Sequence, residues 1–236
     1  MNPYRVTITG ADDAVDPRAL LDLSAEFPFV EWGLLCSMKR IGTSRYPSPT
    51  WIDRLRVLRW PQSARFFSAH FCGQYAREAI AGHAFMEMEL ELASKLCARV
   101  QINGYEAGFP GQLPRLARKL GVEFILQCRH QAELQQCARD AETIRGASVL
   151  FDPSGGRGSR PRLWPMGPAG CRLGFAGGIG PENVLDVIRA IGPRAPYWID
   201  MESGVRTGDR LDLGKVRRVL EQVAALGLAE QGRRVG

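Results

Sequence analysis

The chain has 236 residues, a formal net charge of +6 and 45% hydrophobic residues, enough apolar material for a sizeable core. Its basic residues are scattered arginines with no run interleaved by aromatics, which excludes the usual nucleic-acid footprint and leaves an acidic small molecule as the natural reason for the positive balance. No apolar run approaches the ~20 residues that a membrane span needs, and the opening Met-Asn-Pro-Tyr-Arg-Val lacks signal-peptide character, so no membrane partner and a cytoplasmic location are expected.

Short apolar runs that fit buried strands recur along the chain: Arg5–Thr9, Phe29–Leu35, Arg65–Phe71, Ala98–Asn103, Glu123–Cys128, Ala147–Asp152, Cys171–Ala176 and Tyr197–Met201. Between them, apolar residues at i, i+3 and i+4 predict helices over Pro17–Phe27, Thr50–Leu58, Gln74–Leu96, Leu113–Leu120, Gln131–Ile144, Pro181–Ile191 and Leu213–Leu226. Glycines and prolines between Asp152 and Cys171 leave room only for a loop. Eight alternating units without a linker predict an α/β fold, a single (β/α)8 TIM barrel over residues 1–236. The open-sheet fingerprint GxGxxG is absent after the first strand, where Thr9-Gly10-Ala11-Asp12 makes the turn. The stretch Met86-Glu87-Met88-Glu89-Leu90-Glu91-Leu92 is Met-rich and amphipathic; it reads as a core-packing face or a dimer contact, so a monomer or a homodimer is expected.

The run Gly174 to Val184 carries the clearest functional signal. A buried strand ends in Gly177-Gly178, and Pro181-Glu182-Asn183 opens a helix. Glycines let a ligand approach the backbone, and a helix N-terminus offers N–H groups to an anion. The next strand ends in another small-residue turn, Ser203-Gly204. Two such turns on the last two strands sit where a barrel of this kind holds a phosphate. The six cysteines form no CxxC pair and read as reduced buried thiols, while His70, His83 and His130 are too dispersed for a metal site.

Five segments together resemble the phosphoribosylanthranilate isomerase family. Leu150-Phe151-Asp152-Pro153-Ser154-Gly155-Gly156-Arg157-Gly158 is similar to its LLD…GGxG segment, Ala176–Val184 to its AGGIGPENV, and Ile199–Val205 to its VDVSSGVE-like run. Thr43–Ser48 resembles its SxRYxS loop and Val100–Gly104 its VQLHG strand. The resemblance implies a phosphorylated small-molecule substrate, an Amadori-type aldose–ketose isomerisation of an N-linked phosphoribosyl amine, and no metal or organic cofactor. It implies Asp152 as the general acid, with capping of its glycine turn as the plainer reading. Arg45 would hold a ligand carboxylate and Asp200 would contact the ligand near its ribose and amine. Gly155, Gly156, Gly177, Gly178, Ser203 and Gly204 would surround the phosphate.

One position departs from the family. Where it reads KICGIT, with a cysteine base, this chain has Thr9. A threonine hydroxyl is no base unless activated. Glu31, on the inward face of the second strand, is an alternative base or a structural polar residue paired with an arginine such as Arg129. Gln101 shares a face with Asn103, Gln127 with Arg129, and His70 with Cys72, which predicts a polar barrel mouth with Gln101 and Arg129 at the substrate. Glu202 stands where the family has a small serine; it must turn from the phosphate or be neutralised, or else serve as another new base.

Overall fold

The computed structural model describes residues 2–60, 66–192 and 196–234, and of these not the side chains of 87, 88, 91, 92 and 228–234. Eight parallel strands close into a barrel in chain order: β1 (Arg5–Thr9), β2 (Val30–Cys36), β3 (Phe67–Phe71), β4 (Arg99–Ile102), β5 (Glu123–Cys128), β6 (Ser148–Phe151), β7 (Leu173–Ala176) and β8 (Tyr197–Met201), with β8 pairing back to β1. Outside run α1 (Pro17–Glu26), α2 (Pro49–Arg56), α3 (Gln74–Ala81), α4 (Ala84–Ser94), α5 (Leu113–Leu120), α6 (Leu134–Thr143), α7 (Val184–Ile191) and α8 (Leu213–Arg234). Among the described residues no helix is long and apolar enough to cross a membrane.

Local chemistry sets the helix ends. Asp16 and Ser48 cap α1 and α2 by accepting from Arg18 N and Trp51 N, each followed by proline at the helix start. The predicted helix Gln74–Leu96 is two helices, because Gly82 takes φ 72° and its N–H returns to Glu78 O and Ala79 O, ending α3. In α4, Met86 and Leu90 are buried, whereas the side chains of Glu87, Met88, Glu91 and Leu92, on which the dimer-contact reading falls, lie outside the described residues. So does Arg65, the predicted start of the third strand. The helix expected from Pro181 begins at Val184, with Pro181-Glu182-Asn183 forming a turn before it. A two-stranded hairpin, β9 (Arg206–Thr207) and β10 (Arg210–Leu211), is too short to leave a period in the sequence.

Two interiors result. Outward-facing strand residues such as Val6, Ile8, Phe124, Phe175 and Ile199 pack against the helices and form the main apolar core. The barrel lumen is largely polar: Thr7, Thr9, Glu31, His70, Arg99, Gln101, Gln127 and Asp200 are all buried, while Ile125, Leu150, Ala176 and Trp198 make a small apolar plug and Leu35 adds an apolar side chain at the upper cavity. That distribution departs from the branched aliphatic layers usual in such barrels. It places titratable groups in a low-dielectric space at both ends.

Candidate functional site

At the C-terminal ends of the strands lies a cavity of about 620 Å³. Thr9, Arg45, Gln101, Arg129, Asp152, Gly155, Gly156, Gly177, Gly178, Asp200, Glu202 and Ser203 all line it, so nearly every residue nominated from the sequence comes together. Gly204 lies just behind the wall, and Glu31 does not reach the cavity.

The two glycine turns touch. A Cβ on Gly180 would fall 2.8 Å from Gly204 O, and one on Gly204 would strike Ile179 O. The loop after β6 closes over them: Gly158 O would lie 2.6 Å from a Cβ at Gly178, and Ser159 O 2.8 Å from one at Gly177. Backbone packed this closely on backbone has room only for glycine. Asn183 ties the turn by donating Nδ2 to Gly178 O and accepting from Gly180 N. No described hydrogen bond uses the amides of Gly178, Ser203 or Gly204. By contrast, Gly155 N donates to Asp152 O and Gly156 N to Asp152 Oδ2, so these two glycines do not present free amides to a phosphate; their turn closes on its own aspartate.

Asp152 follows β6 and accepts four hydrogen bonds, from Gln127 Nε2, Ser154 N, Ser154 Oγ and Gly156 N. It therefore caps the glycine turn while also facing the cavity. Asp200 is placed differently. Its carboxyl accepts a 2.8 Å bond from Thr9 Oγ1, on the neighbouring strand. Burial raises its pKa to about 8; the Thr9 bond pulls it down, while Asp152, Glu202 and Glu31 push it further up. At neutral pH Asp200 thus holds a proton. Thr9 spends its hydroxyl hydrogen on that carboxyl, which is the opposite of acting as a base.

His70, on β3, also lines the cavity. Burial lowers its pKa to about 4, so the ring is neutral. Nε2 lies 2.9 Å from Ser68 Oγ, and no described hydrogen bond uses Nδ1. Gly33 makes the space between ring and hydroxyl: a Cβ there would lie 2.8 Å from His70 Cε1 and closer still to Thr9 Oγ1. The sequence shows His70 and Cys72 on one strand face, but nothing in it shows that a glycine on β2, the strand between β1 and β3, brings the ring beside Thr9.

Arg45 bridges loops at the mouth. Its Nη1 bonds Glu202 Oε1 at 2.8 Å and its Nε bonds Asp209 Oδ1 at 3.0 Å. Its backbone has φ 74°, and its N–H donates to Asp12 Oδ2. Glu202 is thus neutralised by pairing, although burial pushes its pKa up. Arg206, unremarked in the sequence, is buried beneath this cluster and donates to Gly10 O and Asp209 O.

Glu31 is a correction. It lies lower in the lumen and receives hydrogen bonds from Arg99, Arg5 and Thr7. Burial alone would raise its pKa, but the two guanidinium groups and the hydroxyl hold it down at about 2. A carboxylate so committed and outside the cavity is no substitute base. Its arginine partner is also not Arg129, whose guanidinium instead packs beside Gly155.

The model of the family described as N-(5'phosphoribosyl)anthranilate (PRA) isomerase matches residues 85–222. The N-(5'-phosphoribosyl)anthranilate isomerase of Eremothecium gossypii is 33% identical over 137 residues, which cover 54% of this chain and 61% of that protein. That of Methanosarcina acetivorans is 46% identical over 49 residues, 21% of this chain and 19% of the relative. The aligned parts thus span less than two thirds of these curated relatives. Among solved structures, N-(5'-phosphoribosyl)anthranilate isomerase from Pyrococcus furiosus superposes with TM-score 0.58 at 15% identity, covering 94% of this chain and 98% of that one. 3-Hexulose-6-phosphate synthase from Salmonella typhimurium gives 0.55 at 13%, covering 94% and 99%. At those identities the superpositions speak for the fold.

Proposed function

The chain belongs to the N-(5'-phosphoribosyl)anthranilate isomerase family, and on that premise we propose that its upper cavity binds a phosphorylated ribosyl amine and isomerises it to the aminoketose. The observation that carries this reading is the contact between the Gly177–Gly180 and Ser203–Gly204 turns at the rim of a cavity holding a protonated carboxyl. Unbonded amides at Gly178, Ser203 and Gly204 supply donors to a phosphate without a side chain.

The reaction opens the furanose by protonating its ring oxygen, then moves a proton from the adjacent carbon. Asp200 is the better-suited proton donor, because it is protonated at neutral pH, while Asp152 is engaged by four donors. The proton acceptor is not Thr9. His70, neutral and lining the cavity, takes that role in this reading; burial that lowers its pKa to about 4 makes it a weak base, so its proton affinity has to rise when the anionic ligand binds.

Purified protein mixed with phosphoribosylanthranilate should lose substrate fluorescence. Asp200→Asn should slow turnover by ~10²-fold or more and His70→Gln comparably, with affinity for the reduced product analogue retained. A larger loss in Asp152→Asn than in Asp200→Asn would return the acid role to Asp152. The absence of a cysteine at Thr9 favours one second reading, a binding protein that kept its phosphate grip: no turnover in the wild type, tight binding of the analogue, and activity gained in Thr9→Cys would establish it.

A further inference from the structure

The opposite, N-terminal end of the barrel carries a second cavity, of about 440 Å³. Its lining includes five arginines, Arg5, Arg99, Arg118, Arg145 and Arg172, and a single acid, Glu123. Two carboxylates offset them. Glu31, from the lumen above, takes Arg5 and Arg99, and Glu123 takes Arg172 at 3.1 Å. Arg118 and Arg145 are exposed and form no described ion pair. The cavity therefore keeps a surplus of positive charge on a face whose usual task in such barrels is stability alone.

Arg99 adds an independent sign. Its side chain is only 2% exposed, yet Nη1 has no hydrogen-bond partner and its nearest acid oxygen, Glu123 Oε1, lies 3.8 Å away. Its guanidinium sits 4.7 Å over the ring of Trp198, whose Nε1 is a second buried donor without a partner. Buried donors left unmade are costly, more so when charged. Of the two, Arg99 lines the arginine-rich hollow, and its charged, unpaired Nη1 is suited to an acceptor that carries negative charge.

We propose that this lower cavity is a binding site for a small multivalent phosphate, free or as the phosphoryl end of a metabolite. Arg99 meets it from the barrel side and Arg118 and Arg145 from the solvent side. Guanidinium forks suit such an oxyanion. The site is separate from the upper cavity and does not depend on what reacts there.

The test uses the full chain labelled for amide NMR, titrated separately with inorganic pyrophosphate and with ribose 5-phosphate. Gly121 and Gly146 line the lower cavity and report it; Gly178 and Gly204 report the upper rim. Both pairs should respond, with affinity at the lower pair falling as salt is raised. Arg118→Ser with Arg145→Ser, both exposed positions, should weaken the Gly121 and Gly146 response by ~10-fold or more and leave that of Gly178 and Gly204 unchanged. Tighter binding of the ester than of pyrophosphate identifies an organic carrier, and the reverse identifies the bare polyphosphate. No response at Gly121 and Gly146, or one indifferent to the double substitution, means that water satisfies Arg99 and overturns the site. A silent upper rim would count against the proposed isomerase reading alone.

Discussion

Asp200→Asn tests whether a buried proton governs this cavity, and it should make the protein more stable while making it slower. Asp200 rises from 3.8 to about 8 in the fold. Between those values the native state keeps a proton that the unfolded chain releases. Wild-type stability therefore falls as pH climbs through that window, by about 1.4 kcal/mol per unit, and levels off above the folded value. Asparagine has the same shape, keeps an oxygen for the Thr9 hydroxyl and has nothing to titrate. From about pH 5 to about pH 8 the stability advantage of the variant should widen by up to about 4 kcal/mol. For a chain of this length that is a relative gain of about 8 °C in Tm. Water reaching the carboxyl through the cavity reduces the figure but not its sign. Thermal melts of both proteins at constant ionic strength across that range measure it. A Tm difference that does not change with pH would refute the claim that Asp200 is held protonated, and with it the assignment of the proton donor.

Arg99→Met should cost about 3–5 kcal/mol, or roughly 6–10 °C in Tm, because it takes from Glu31 its fully buried guanidinium partner and leaves Arg5 and Thr7 to offset the carboxylate; adding Glu31→Leu should recover most of the loss, and equal losses in single and double variants would dismiss the coupling. Glu31 is depressed to about 2, so its contribution is complete above the ordinary carboxylate range and disappears as pH falls through about 2, visible as a steeper acid denaturation in the wild type than in the double variant. Gly33→Ala should cost about 1–3 kcal/mol by forcing Thr9 and His70 apart; since the Thr9 bond lowers the pKa of Asp200, its loss should move the carboxyl titration followed by carbon NMR still higher, and an unmoved titration would show that hydroxyl and ring have room to spare.

The barrel was readable because each strand is an apolar run of buried length and each helix repeats with its own period; Phe175 and Ile199 announce their strands without any neighbour. The glycine turns were readable for the same local reason. Pairings were not. Thr9 and Asp200 stand 191 positions apart and Arg99 and Glu31 stand 68 apart, joined only by strand register and lumen width. The sequence thus shows Glu31 facing inward but not at which depth, and depth decides between base and structural anion. The break at Gly82 escaped because Tyr75, Ala79, Met86 and Leu90 continue an apolar stripe across it. Gly155 and Gly156 mislead for a related reason: glycine marks where backbone comes close, not which partner its N–H has already taken.

Arg45 carries a further consequence for the mouth. A residue with a side chain held at φ 74° sits about 1–2 kcal/mol above its relaxed backbone. What holds it there is its own N–H, bonded to Asp12 Oδ2, together with two side-chain charge contacts at the mouth, to Glu202 and Asp209. Main-chain bonding thus shares the strain with the two ion pairs, and salt that weakens the ion pairs leaves the backbone bond in place. The side chain, not the loop, is therefore the adjustable part: an anion entering beside Glu202 would compete for the same guanidinium while the peptide backbone under it stays where Asp12 holds it.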